Sequence, residues 1–309
     1  MALAAATATA EQRLEKSAVW FDSDGVNCAA DLYRPTTIGG ISPCVVMAHG
    51  TAGTRDLGLH AYAEGFARAG LAVLVFDYRH FGESGGQPRQ LIDIQEQLGD
   101  YRAAIRFARK LRGVDPNRVA LWGTSLSGGH VMEIAAEDHQ IAAVVSQVPF
   151  AGIEFGRATP RSRTATLKLL AAALLDGLHR LLGLQPFLVP LVGPATSVSA
   201  FNDPDALETL KVLAADAPTW RNAFAARAIL ALMKYRPGEA APRIRVPILV
   251  CIAEADTAGS VKLAVRAAQR APRGELLRYP VGHFAVYTGE VMHRLIADET
   301  AFLRRHLLG

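Results

Sequence analysis

Ser125 sits in the run Leu121-Trp122-Gly123-Thr124-Ser125-Leu126-Ser127-Gly128-Gly129, between an apolar strand-like segment and a helical pattern. A serine on so sharp a strand-to-helix turn has its hydroxyl lifted off the sheet, and small neighbours let strand and helix pass closely. The pattern is G-x-S-x-S, with Ser127 where a second glycine is expected. A tight turn with an N-capping serine is the plainer reading of the same residues. The helix opening at Leu126 offers free backbone N–H groups to a developing oxyanion. A second small-residue loop, His49-Gly50-Thr51-Ala52-Gly53, follows the apolar run Pro43–Ala48. The backbone N–H groups of Thr51 and Leu126 are the candidate oxyanion donors. His49 is read as a histidine that orders its loop.

Two more polar residues follow late strands. PILVCIA (247–253) runs into Glu254-Ala255-Asp256-Thr257, and ELLRY (275–279) runs into Pro280-Val281-Gly282-His283. Residues just past strand ends are where open parallel sheets bind ligands. Ser125, His283 and Asp256 together supply nucleophile, general base and orienting acid: the imidazole takes the hydroxyl proton while the carboxylate fixes its tautomer. Glu254 and the remoter Glu154 rival Asp256, which lies farther out from the sheet than Glu254. Among the other histidines His80, in a loop after a strand, is the serious decoy, but it precedes the serine in the chain. No His or Glu pairing at i, i+4 with a third ligand supports a metal site, and this chemistry needs no cofactor.

These residues require strands to deliver them. Ala18–Phe21 and Asn27–Tyr33 read as strands around the turn Asp22-Ser23-Asp24-Gly25. Alternation in kind follows: strand Pro43–Ala48, helix Leu59–Ala69, strand Leu71–Phe76, and an amphipathic helix through Leu91, Ile94, Leu98, Tyr101, Ile105 and Ala108. Strand Arg118–Trp122, helix Leu126–Ala136 and strand Ile141–Ser146 continue it. The pattern resumes with strand Pro247–Ala253, helix Val261–Arg270, strand Glu275–Tyr279 and helix Glu290–His306. Strands separated by helices imply βαβ units and a parallel sheet covered on both sides. The interruption, 151–242, reads as a helical, apolar cap inserted into a core of 15–150 and 243–309. Residues 1–14 read as a disordered tail without the marks of a signal peptide.

The chain has 309 residues, half of them apolar and a fifth charged, with net charge +4. One α/β domain with an inserted cap fits that length. The modest positive balance carries no Lys/Arg run or aromatic-interleaved stripe, so nucleic acid is not a partner read from it. Arg157, Arg161, Arg163 and Lys168 read as a solvated face. Three cysteines, Cys28, Cys44 and Cys251, form neither a disulfide framework nor a metal knuckle, which favours a reducing, cytoplasmic setting. The apolar stretch Leu167–Val192 carries Lys168, Asp176, His179, Arg180 and two prolines, a charge density that disfavours a membrane span.

The segments GTSLSG, HGTAG, FDYRHFGESGGQPR, VDPNRVALWG and GHF together resemble the α/β-hydrolase superfamily. The opening DSDGVNCAADLYRP resembles the X-prolyl dipeptidyl-peptidase and cocaine-esterase class. The middle is similar to the branch of polyketide transferases and dienelactone-hydrolase-like enzymes. The resemblance spans Val19 to Leu308 and is weakest across the cap. It implies an α/β-hydrolase fold, a mostly parallel doubly wound sheet, and Ser125, Asp256, His283 with the Thr51/Leu126 pair as its site. The fold hosts many chemistries. The expected activity is hydrolysis of a carboxylic ester or lactone of a bulky apolar small molecule, with Leu174, Leu178, Phe187 and Trp220 as substrate contacts. Acyl transfer and peptidase action use the same triad, and a non-catalytic binding protein is a further alternative. Cap leucines that do not line a pocket would pack in the core or in a homodimer interface.

Overall fold

The computed structural model describes residues 14–36, 40–154, 162–194 and 196–309; the expected N-terminal tail, save Leu14, lies outside them. The described chain enters on a hairpin. β1 (Leu14–Ser23) and β2 (Val26–Pro35) pair antiparallel, and the two-residue loop Asp24-Gly25 has positive φ at both positions. That is the backbone a tight twisted hairpin needs, and Asp-Gly adopts it at low cost. The ladder carries both strands beyond their apolar runs, because backbone pairing continues where side chains are already polar.

Six parallel strands follow, connected mostly by helices. β3 (Ser42–Ala48), α1 (His60–Arg68), β4 (Ala72–Phe76), α2 (Ile94–Ala108), β5 (Val114–Thr124), α3 (Leu126–Glu137) and β6 (Val144–Gln147) make the first half. α2 begins at Ile94 rather than Leu91 because the Asp93 carboxylate accepts the N–H groups of Gln95 and Glu96. β5 starts before Arg118, but its register on β3 shifts, and Val119–Gly123 is the unbroken stretch against Cys44–Ala48.

The segment before the next sheet strand holds α4 (Arg163–Leu181), β7 (Leu188–Val189), α5 (Pro204–Ala214), β8 (Phe224–Ala225), α6 (Ala228–Leu232) and a 3₁₀ turn at Pro237–Arg243. It is less helical than expected. β7 and β8 form a small antiparallel ribbon, and Pro186, Pro190 and Pro194 interrupt any helix after α4. The chain then completes β9 (Ile248–Ala253), α7 (Val261–Arg270), β10 (Gly274–Tyr279), a 3₁₀ turn at His283–Tyr287, and α8 (Gly289–Leu307).

The sheet order is β1-β2-β4-β3-β5-β6-β9-β10, parallel from β4 onward. β4 and β5 flank β3 on opposite sides, so the winding reverses there and opens a crevice at the strands' C-terminal ends. β4 and β9 are buried at every residue, as both-face coverage requires. Cys28, Cys44 and Cys251 are buried free thiols, and burial pushes Cys28 and Cys44 up to about 12, which leaves them unreactive. α4 is apolar on two sides. Ala165, Leu169, Ala172 and Ala173 face inward, whereas Leu167, Leu174, Leu178 and Leu181 stand in the open. Among the described residues no helix is long and apolar enough to cross a membrane.

Candidate active site

Ser125 lies between the last residue of β5 and the first of α3, with φ +55° and ψ −117°. This is a region that side chains rarely enter, and it is held by bonds on both flanks: Ser125 N–H donates to the Gln147 carbonyl, and Phe150 N–H donates to the Ser125 carbonyl. A Cβ at Gly123 would come 2.2 Å from the Ser127 carbonyl oxygen, and one at Gly50 would come 2.7 Å from the Ser125 Cβ. Ser127 fills its unexpected place at no polar cost, its hydroxyl lying 2.8 Å from the Tyr78 hydroxyl. The Ser125 hydroxyl makes no cap bond to its own helix, which removes the capping reading.

That hydroxyl faces His283 instead, with Nε2 3.1 Å from Oγ. Nδ1 of His283 is 2.7 Å from Oδ2 of Asp256. Oδ1 of Asp256 accepts the N–H groups of Ala258 and Gly259, each at 2.7 Å. Burial works against the Asp256 charge, but the adjacent imidazole and these donors outweigh it, and the carboxyl is held below its ordinary value. With its proton on Nδ1, towards this carboxylate, the ring presents Nε2 to Oγ as a hydrogen-bond acceptor. Glu254 pairs with Arg278 at the surface, Glu154 accepts the Ser260 hydroxyl at 2.7 Å, and His80 pairs with Glu96 at 3.0 Å. None of these three takes a place in the Ser125–His283–Asp256 chain.

The loop bearing Thr51 is built around His49. The ring's Nδ1 accepts the Gly50 N–H at 2.7 Å and its Nε2 donates to the Leu57 carbonyl at 2.9 Å, which fixes the tautomer. Burial pushes His49 down to about 4, so it stays neutral. Farther along, Arg55 anchors the loop to Asp77 and Glu83, and the Trp220 indole N–H donates to the Ala52 carbonyl at 3.0 Å. Thr51 lines the same cavity as Ser125, and Leu126 is the first residue of the helix that Ser125 precedes; no hydrogen bond from either backbone N–H to a loop or turn carbonyl is seen among the described residues.

Ser125 and His283 open onto a cavity of about 350 Å³. Phe150, Leu169, Phe201, Phe224, Leu232 and Met233 form apolar wall, while Glu154, Asn202 and Asp203 are polar lining. A niche of about 20 Å³, lined in part by Leu57, Leu191 and Tyr287, adjoins the same pair. Leu174, Leu178, Phe187 and Trp220 are not on either wall. Leu174 and Leu178 are 64% and 50% exposed on the outer side of α4, Phe187 packs by the His179 ring, and Trp220 is engaged with Ala52. Helical spacing shows that α4 has apolar faces but not which one turns inward, and the wall residues on loops carry no periodic signal. Among the described residues no group of three or more His, Cys, Asp or Glu side chains could hold a metal ion.

A family model for the S33 serine aminopeptidases matches residues 41–284. The chain belongs to this family of α/β-hydrolases. The hydrolase is 45% identical over 287 residues to the quorum-quenching protein AidA of Acinetobacter baumannii, covering 93% of this chain and 94% of that one. It is 27% identical to the polyketide transferase af380 of Aspergillus fumigatus, covering 92% and 96%. The crystal structure of the α/β-hydrolase GrgF from Penicillium sp. sh18 superposes with a TM-score of 0.79 at 22% identity, over 96% of this chain and all of the other. That likeness speaks for the fold.

Proposed function

We propose that this hydrolase cleaves a carboxylic ester or lactone of a bulky apolar small molecule through an acyl-enzyme. The observation that carries the reading is the chain Asp256–His283–Ser125, joined at 2.7 and 3.1 Å and opening on an apolar cavity of about 350 Å³. Ser125 Oγ attacks the carbonyl carbon while His283 Nε2 takes its proton. The N–H groups of Thr51 and Leu126 receive the oxyanion, each worth ~3 kcal/mol in the transition state. The alcohol leaves with the proton from His283. Water, deprotonated by the same imidazole, then releases the acid. Asp256 keeps the ring in its productive tautomer and stabilises the imidazolium. The segment 151–242 acts as a cap over this centre, supplying the cavity wall from Leu169, Phe201, Phe224 and Leu232.

The relative named for quorum quenching supports a diffusible signal with a hydrolysable ester or lactone as the natural substrate. A relative named as a polyketide transferase favours a second reading, in which an alcohol or amine replaces water in the second half-reaction. Fluorophosphonate labelling, followed by a screen of aryl esters and macrocyclic lactones, tests the first. Labelling and turnover are expected to vanish in Ser125→Ala. Unchanged labelling in that variant would move the nucleophile elsewhere. Product analysis with and without added nucleophile separates hydrolysis from transfer.

A further inference from the structure

Three of the groups assigned above to the reaction are carried by three separate pieces of chain. Ser125 rides on the turn from β5 to α3, Thr51 on the loop after β3, and His283 on the 3₁₀ turn before α8. One buried side chain touches all three pieces. Tyr287 ends the His283 turn, and its hydroxyl lies 2.7 Å from Oγ1 of Thr124, the residue immediately before Ser125. Its ring stacks on His49 with centroids 5.6 Å apart and planes 14° from parallel. His49 is the residue that orders the Thr51 loop through the Gly50 amide.

The surroundings reinforce this arrangement. The Tyr62 hydroxyl donates to the Val286 carbonyl at 2.6 Å, pinning the same turn one residue earlier. The Gln147 amide donates to Thr124 Oγ1 at 3.2 Å, so the Thr124 hydroxyl is held from two sides. Tyr287 also lines the small niche beside Ser125 and His283. Ordinary core packing asks for none of these polar contacts; a phenylalanine would fill the volume.

We propose that Tyr287 is a positioning residue, whose hydroxyl bond to Thr124 sets the separation of His283 from Ser125 while its ring sets the loop that carries Thr51. The inference rests on the reading of Ser125 and His283 as nucleophile and base. A shift of about 1 Å between reacting groups costs up to about a hundredfold in rate, so a lost tether shows in turnover before it shows in binding.

The test is a set of purified full-length variants assayed on one aryl ester, with melting temperatures taken alongside. Tyr287→Phe keeps the stack on His49 and loses only the tether. It is expected to lower kcat about tenfold and leave KM within about twofold. Thr124→Val is expected to do the same, and Thr124→Ser to restore turnover. Both changes cut the Tyr287–Thr124 bond and Thr124→Val also releases the Gln147 amide, so the double variant is expected to be no slower than Thr124→Val alone. Full kcat in Tyr287→Phe, losses that multiply in the double variant, or a Thr124→Ser as slow as Thr124→Val would overturn the proposal. Retained turnover in Ser125→Ala would instead strike the assignment beneath it, and the two failures are distinguishable.

Discussion

Asp256 and Glu299 are both buried carboxyl groups, one at the rim of the sheet and one beneath it, and they sit in opposite states. Asp256 has the His283 ring at 2.7 Å and two backbone donors, and it is held below its ordinary value although burial opposes it. Glu299, fully buried on α8, has the Trp122 indole N–H at 2.8 Å on one oxygen. Its other oxygen has no partner among the described residues. Burial therefore wins and pushes it up to about 8, although the Trp122 and Cys251 side chains pull the other way. Burial alone does not decide the charge of a carboxyl; the donors and the ring beside it do. The rim carboxyl is built to stay ionised, and the inner one to stay protonated at neutral pH.

The largest way to break this contrast is Asp256→Asn, which removes the charge and keeps the shape. Turnover of the aryl ester is expected to fall about 10⁴-fold, as the imidazole loses its tautomer control; a loss below about tenfold would dissolve the role given to Asp256. Next comes Glu299→Gln, read by melting temperature against pH. A group whose folded value is raised contributes stability below its ordinary 4.5, and that stability is lost as pH climbs towards about 8. The native protein is expected to lose a few kcal/mol across that window from this group, and Glu299→Gln to flatten the slope by roughly 5 °C. An equally steep slope in the variant would mean that another group causes it. Asp256 has the reverse sign: its stability is present above 3.8 and is lost as pH falls. The smallest effect is expected from Cys251→Ala. It removes one of the groups holding Glu299 down, so the loss of stability should shift to higher pH by a few tenths of a unit. A shift to lower pH would contradict the role given to the thiol.

Much of the rim was legible in the chain and little of the interior beside it. Ser125, Asp256 and His283 each stand just past an apolar strand, and glycines or small residues mark the turns at Gly123 and Gly282, so their placement on one edge follows from alternation alone. Glu299 gives no such sign, since on an amphipathic helix a glutamate reads as solvent-facing, and its Trp122 partner lies 177 residues away. The segment 151–242 was harder still. α4 repeats leucines on opposite sides, so Leu169 inside and Leu174 outside are indistinguishable by spacing. Trp220 reads in the sequence as a substrate contact, yet its indole N–H donates to the Ala52 carbonyl, a tertiary contact over 168 residues.

The serine at the elbow occupies a backbone region that glycine enters freely and other residues enter at a cost of order 1–3 kcal/mol. Selection for robustness alone would therefore drift this position towards glycine, and selection for turnover would drag it back. With Ser125 as the proposed nucleophile, a heat-tolerant but inert descendant lies a single residue away, so ranking libraries of this enzyme by melting point alone would reward the loss of its hydroxyl.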